Sequence, residues 1–511
     1  MAVADYFDRV QQSAAQVLSN HDDAAFRARL EGASVGIAFD TEAENSAEAR
    51  VCIELVTRLM ARLFPVIAMK GPEDGKLIYE LRTLASAINP KIDLVDTLGD
   101  ETETIVLGAT PAAHGRAVYL GSDRWIARLS RVAPLPSGNS GIPFGAAAAA
   151  CIGVANVFRS VFADLLPSGG PDDSVTFSTL GHETRKSCSN ADLPTDADLG
   201  QVQLVGAGAI GQAAVWALAK TSGLAGHLDV IDHERTDLSN LQRYVLTERK
   251  DDDARKVRLA EAAFPGMGSI TAVGHFGTWA EYLAVRNSFD FDLVATALDS
   301  AKDRVAVQGA LPRRIANAWT QPGDCGVSRH AFLGEGACLA CLYLPRGQRP
   351  SENEVLAVEL GMPEKAKEIA TMLETDTRVT EDFLGEVADR TGADGMALRA
   401  FTGLSLRDFR RRAVCGGEIP SAAGAHDASL QVPMAFQSAM AGVLLAAEIV
   451  AFQCMGREAD GSKSVIDLLR PFPDRLTVPQ SKDRTGEARC ICEDRDFQRT
   501  YRRKYPLVAQ I

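Results

Sequence analysis

Two apolar runs, Val202–Val205 and one ending at Asp232, flank Gly206-Ala-Gly208-Ala-Ile-Gly211 and a helix-forming stretch. A strand that turns at once into a helix needs backbone free of side chains. Glycines at 206 and 208 supply that, and Gly211 lets the helix lie close on the strand. The helix N-terminus then presents free N–H groups and partial positive charge, a ready site for phosphate. Asp232 stands where a ribose hydroxyl can be bound. Strand, glycine turn, helix, strand, acid is the order of a nucleotide-binding βαβ unit. On these features alone NAD, FAD and ATP fit equally.

The run after Asp232, His233-Glu-Arg-Thr-Asp-Leu-Ser-Asn240-Leu-Gln242-Arg243, turns the reading toward ATP. A nicotinamide enzyme has no use for Asn240, Gln242 and Arg243 directly beyond the ribose acid; an enzyme handling ATP phosphates does. The segment resembles the adenylating domain of ubiquitin-activating enzymes and their bacterial ThiF/MoeB relatives. Later landmarks of that family follow in order. Lys256 opens a helix in DARKVRLAEAAF, an apolar strand runs from Phe291 to Asp299 with Arg304 nearby, and a CxxC stands at Cys338–Cys341. The resemblance is tight over residues 201–341 and loose elsewhere.

This resemblance implies a Rossmann-like α/β adenylation domain with a mostly parallel sheet. The implied reaction is attack of a C-terminal glycine carboxylate, belonging to a ubiquitin-like protein, on the α-phosphate of ATP, with loss of pyrophosphate. Such chemistry is mainly positioning and charge stabilisation. In this chain Gly206, Gly208, Gly211 and Asp232 would bind the nucleotide together with Asn240 and Gln242. Arg243 and Lys256 would neutralise the phosphates, and Asp299 would hold Mg²⁺, which favours a carboxylate plus phosphate oxygens.

The chain's 511 residues are too many for one core, so two or three domains are expected. A net charge of −13 gives no support to nucleic-acid binding. The acidic N-terminus lacks the basic and apolar regions of a secretory signal. The most apolar windows, 144–158 and 432–452, read as buried helices: the first is too short to span a bilayer and the second carries Gln437 and Glu448. A cytoplasmic protein without membrane or nucleic-acid partners is expected, and disulfides are then disfavoured. Of ten cysteines, four form close pairs, Cys338/Cys341 and Cys490/Cys492. Such pairs can meet one tetrahedral Zn²⁺. The resemblance implies a structural zinc site closed by a late second pair, here CxC rather than CxxC.

Residues 1–165 read as α/β without a glycine fingerprint, 166–198 as a linker with one short strand near Val175 to Phe177, and 199–345 as the nucleotide-binding half. Residues 346–430 read as a mostly helical insertion, and 431–511 as the rest of the adenylation domain with its zinc tail. Pro143 and Pro433 each precede a small-residue apolar helix. One explanation is two unrelated buried helices. The other, which the resemblance implies, is an intramolecular pseudo-dimer in which a degenerate, inactive adenylation-like domain braces the active one. Arg27 and Arg29 are then candidates to reach the ATP site, against a solvated surface role.

In ubiquitin-activating enzymes a cysteine takes the adenylate as a thioester. Cys415 is the one cysteine between Cys341 and Cys454; Arg410, Arg411 and Arg412 precede it and Gly416 and Gly417 follow. Positive charge favours a thiolate. The competing reading is a structural cysteine at a helix end with glycines as its cap. Cys325, in GDCGVSRH, is the second candidate, and the histidines are too scattered to form a base. The function expected is activation of a ubiquitin-like protein by adenylation, thioester formation on Cys415 and transfer to a conjugating enzyme. A bacterial conjugation pathway, antiviral in purpose, is what the resemblance implies for context. The alternatives are an adenylyltransferase for a sulfur-carrier protein without a thioester, a nucleotide-binding scaffold, and an NAD oxidoreductase.

Overall fold

The structure, a computed structural model, describes residues 4–506 except 20, 101, 111–115, 167–169, 185–187, 265–269, 322, 345–351, 411–412, 414–431, 473–475 and 483–488. Two compact units divide the chain: Met1–Leu344 with Val432–Ile511, and Pro345–Gln431.

The larger unit contains two sheets. The first has strands β1 (Val35–Phe39), β2 (Val66–Lys70), β3 (Asp93–Val95), β4 (Glu103–Leu107), β5 (Arg116–Asp123), β6 (Ile126–Ser130) and β7 (Ser174–Ser178), in the order β3-β2-β1-β4-β5-β6-β7. The second has β8 (Asp198–Val205), β9 (Ala225–Asp232), β10 (Ile270–Phe276), β11 (Leu293–Thr296), β12 (Arg314–Thr320), β13 (Cys325–His330), β14 (Ser462–Ile466) and β15 (Thr477–Pro479), in the order β10-β9-β8-β11-β12-β13-β14-β15. The first five positions of each sheet are parallel and the later pairings antiparallel. The second sheet thus repeats the first and adds one strand. β7 lies inside the stretch read as a linker and is an edge strand of the first sheet.

A long apolar helix occupies the same topological place in each half. Phe144–Val161 lies between β6 and β7, and Ala435–Cys454 between β13 and β14. Both are apolar all round, which calls for burial on every side. The second is buried from Ala435 to Phe452. The two helices meet, with Phe158 and Phe436 rings 5.9 Å apart. Ala435–Cys454 also presses on the Ala209–Ala219 helix at Gly442, where a Cβ would stand 2.4 Å from the Ala213 Cβ. These helices pass a length-and-composition test for membrane spans, but they fill the shared core of the two sheets.

A buried ion set ties that core together. Glu448, fully buried on the Ala435–Cys454 helix, accepts from Arg329 Nε at 2.8 Å and Nη2 at 2.6 Å, and lies 3.3 Å from His182 Nε2. The smaller unit is helical, with Glu352–Glu359, Ala366–Glu374 and Glu381–Thr391 its longer helices, around a core that includes Leu356, Leu384 and Phe409.

Candidate functional site

In a doubly wound sheet the crevice opens where strand order reverses, beyond the C-terminal ends of the central strands. In the second sheet that point lies between β8 and β11. Gly206 there has φ +101°, and a Cβ on it would sit 2.5 Å from the Ala297 carbonyl oxygen. A Cβ on Gly211 would be 2.0 Å from the Gly206 oxygen, so the Ala209–Ala219 helix can rise from the strand only with glycine there. Asp232 ends β9, where its carboxylate accepts from the N–H groups of Ala207 at 2.7 Å and Glu234 at 2.8 Å. It braces the glycine turn and shapes the next loop.

That loop brings the basic residues in. Leu238–Gln242 forms a 3-10 turn capped by Asp237, and Arg243 follows it. The Lys256 ammonium, buried at 3% exposure, donates to the Tyr244 hydroxyl at 3.0 Å and pairs with Glu234. Burial alone would lower the Lys256 pKa, but Tyr244, Asp232 and Glu234 outweigh it and hold the amine protonated. Arg243 and Lys256 lie over the Tyr244 ring, 5.6 and 5.1 Å from its centre. A Cβ on Gly208 would be 3.5 Å from the same hydroxyl. Burial lowers the Arg243 pKa, with Tyr244 and Asp299 opposing and the Arg9 charge adding. Arg9, on the Phe7–Ala15 helix of the N-terminal half, is therefore close to this site. Asp299 is exposed in the loop between β11 and the Ala301–Gly309 helix. Buried Arg304 anchors that loop, donating to the Leu298 carbonyl and to Asn317 Oδ1.

The structure thus gathers Gly206, Gly208, Gly211, Asp232, Arg243, Lys256 and Asp299 at one set of strand ends. Two expected neighbours turn elsewhere. The Asn240 side chain accepts from the Asp237 N–H at 3.2 Å, capping its own turn. Gln242 is buried and donates to Ser13 Oγ at 3.0 Å and the Pro433 carbonyl at 3.3 Å. Arg27 pairs with Glu31 and Arg29 with Asp164. Tyr244, Glu234 and Arg9 carry no motif that sequence reading could have used.

The equivalent point of the first sheet is bridged by a carboxylate. Asp40, just after β1, accepts from the N–H groups of Ala109 at 2.9 Å and Thr110 at 3.0 Å and from the Thr110 hydroxyl at 2.9 Å, all beyond β4. Gly108, at φ +110°, leaves room for this carboxylate: a Cβ there would be 2.0 Å from Asp40 Oδ1.

Cys338, Cys341, Cys490 and Cys492 come together, all buried, with Sγ atoms within 4.8 Å of one another. Four of their separations are 3.5 to 3.7 Å. Four sulfurs bonded tetrahedrally to zinc at about 2.3 Å stand about 3.8 Å apart, so the donor set fits zinc. Next to it the Arg495–Lys504 helix is pinned to the turn before β12, Tyr501 donating to the Arg313 carbonyl at 3.2 Å and Lys504 to the Ala310 carbonyl at 2.8 Å.

Residues 196–479 match the ThiF family, and residues 38–163 match prokaryotic E2 family C. The chain belongs to the ThiF family. Over 510 residues it is 42% identical to the uncharacterized protein y4jF of Sinorhizobium fredii, covering 99% of this chain and 98% of that one. Among solved structures it is similar to the microcin C7 biosynthetic enzyme MccB in complex with N-formylated MccA, at 14% identity and a TM-score of 0.35, covering 57% of this chain and 67% of that one. E. coli MccB with ATP gives 14%, 0.33, 57% and 66%. The second sheet is the ThiF adenylation fold. The E2-matching stretch holds Cys52 and Cys151, both buried, and burial raises both thiol pKa values. Neither offers an accessible nucleophile.

Cys415, with Arg411, Arg412, Gly416 and Gly417, lies outside the described residues. Arg410 is described, and its guanidinium forms two hydrogen bonds with Glu359, at 2.9 and 2.8 Å. Cys325 is fully buried at the start of β13 with its thiol pKa well above normal, chiefly from burial, which removes it as an alternative nucleophile.

Proposed function

We propose that this ThiF-family chain activates a small protein ending in glycine, of the ubiquitin-like class, by adenylating its C-terminal carboxylate with ATP. The observation that carries this reading is the convergence of Arg243 and Lys256 on Tyr244 beside the glycine turn, with Asp299 close enough to act on the Arg243 charge. Free N–H groups at the start of the Ala209–Ala219 helix take phosphate oxygens, and Asp232 takes the ribose. A carboxylate oxygen attacks the α-phosphorus and the bond to the bridging oxygen breaks, so pyrophosphate leaves carrying the electron pair. Arg243 and Lys256, joined by Arg9, hold the charge that grows on the leaving group. The Glu234 carboxylate occupies Lys256 until phosphate competes for it. Asp299 would hold Mg²⁺, which screens the phosphates. Zinc on the four cysteines would be structural.

The N-terminal half is then an inactive partner of the active one, its equivalent point bridged by Asp40. We assign the second step, thioester formation on Cys415 and transfer to a separate conjugating enzyme, to the inserted helical unit. The buried state of Cys52 and Cys151 supports a separate protein for the conjugating step. The reading without a thioester, an adenylyltransferase for a sulfur carrier, gains from one observation: Glu359 already occupies the charge of Arg410, the described arginine nearest in sequence to Cys415. Incubation with ATP, magnesium and a glycine-ended small protein, run on gels with and without reductant, decides between the two. A reductant-sensitive adduct lost in Cys415→Ala supports the thioester; pyrophosphate release without an adduct supports the second reading.

A further inference from the structure

Arg62 is 2% exposed at the end of the Ala47–Leu63 helix, in the N-terminal half, and among the described residues no carboxylate lies within ion-pair distance of it. A buried cation without a counter-ion is costly, and an apolar side chain of similar size would cost less. What Arg62 touches instead is the backbone of the nucleotide loop. Its Nη2 donates to the carbonyls of Tyr244 at 2.6 Å and Thr247 at 2.7 Å, and its Nη1 to the carbonyl of Arg58 at 2.6 Å. Arg58 Nη1 donates to the carbonyl between them, Val245, at 2.8 Å.

Glu54, Arg58 and Arg62 recur every fourth residue, which sets them on one face of their helix. Glu54 holds Arg58 at 3.0 Å and accepts from Trp216 Nε1 at 3.1 Å and Lys220 Nζ at 2.6 Å. Trp216 lies on the helix that rises from the glycine turn, and Lys220 caps its end. One face of one helix therefore grips both the phosphate helix and the loop that carries Arg243 and Tyr244. Burial pulls the Arg62 pKa down to about 9, with Arg58 adding and Tyr6 and Glu248 opposing.

We propose that Arg62, assisted by Arg58, is a positioning residue for the nucleotide site: it clamps the 244–247 backbone so that Tyr244 and Arg243 face the glycine turn. The proposal rests on reading Arg243 and Lys256 as phosphate ligands. Arg62 touches no phosphate itself; it acts through two loop carbonyls, with Arg58 on a third, and these must be released before the loop can shift.

The test is ATP binding with magnesium, by calorimetry on the full chain, beside the thermal midpoint of each protein. Arg62→Met is expected to bind ATP at least about tenfold more weakly, and Arg62→Lys to recover to within about threefold of wild type. Arg159→Met is the control: Arg159 is equally buried in the same half, pairs with Asp172 and contacts nothing at the site. It should lower the thermal midpoint and leave ATP affinity unchanged. If Arg62→Met does not fold, Arg58→Leu takes its place, with about threefold or greater weakening expected. Unchanged affinity in the folded variant overturns the proposal, and so does an equal loss in Arg159→Met without rescue by lysine. A wild type that binds no ATP overturns the reading of the site itself; a wild type that binds, with indifferent variants, overturns only the clamp.

Discussion

Tyr244 is the residue on which the candidate site turns, since its hydroxyl fixes Lys256 and its ring lies under both cations. Lys256→Ala removes a buried charge-assisted donor and should weaken ATP binding by about 2–3 kcal/mol, or about 30- to 150-fold. Tyr244→Phe keeps the ring and loses one hydrogen bond, so about five- to tenfold is expected. Titration with ATP checks both, and equal affinities in all three proteins would contradict the arrangement. At this scale sequence order made Arg243, Lys256 and Asp299 legible, because each stands at a fixed offset from a strand or helix end. Gln242 shows the limit. Its amide is spent inside the protein, accepting from Arg243 Nη1 at 3.3 Å and donating to Ser13 Oγ and the Pro433 carbonyl, a set of contacts that sequence order does not reveal. Tyr244 and Glu234 stayed hidden because a single aromatic or acid follows no period.

Elements divide along similar lines. The strand–glycine–helix unit could be read because its backbone needs leave few residue choices, and the two long core helices because they are apolar on every face. Their equivalent places were hinted at by the proline before each, Pro143 and Pro433, but the strand order that makes the two sheets repeat depends on long-range pairing, which leaves no local pattern. At the tail, chelation should release about one zinc per chain, expose the four clustered thiols to a thiol reagent and lower the thermal midpoint. A metal-free chain whose stability ignores chelators would contradict a zinc role. The buried ion set predicts acid sensitivity. Burial holds the His182 pKa down from 6.5 to about 3, Glu448 opposing and Arg329 and Arg457 adding. Burial alone would raise Glu448, but Arg329 outweighs it and the pKa falls from 4.5 to about 2. In both cases the unfolded chain takes up protons first, so stability is lost as pH falls, below about pH 6.5 for His182 and below about pH 4.5 for Glu448. Urea midpoints at neutral pH and about pH 5 should fall in wild type, and fall less in His182→Phe. A midpoint that rises on acidification would contradict this account.

For the molecule as a whole, two sheets share one strand order, the second with an added strand, and the proposed nucleotide site belongs to the second alone. One ATP should bind per chain, by calorimetry, and a second equivalent site would contradict the role given to Asp40. On the proposed reading the N-terminal half supports that site through Arg9, Arg58 and Arg62, so nucleotide affinity should depend on both halves. The central claim is adenylation of a glycine carboxylate at the second sheet, and ATP–pyrophosphate exchange tests it most directly. Labelled pyrophosphate should enter ATP only when a glycine-ended small protein is present. The exchange should vanish in Lys256→Ala and Asp299→Asn and persist in Cys415→Ala. No partner-dependent exchange, or exchange indifferent to Lys256 and Asp299, would contradict it.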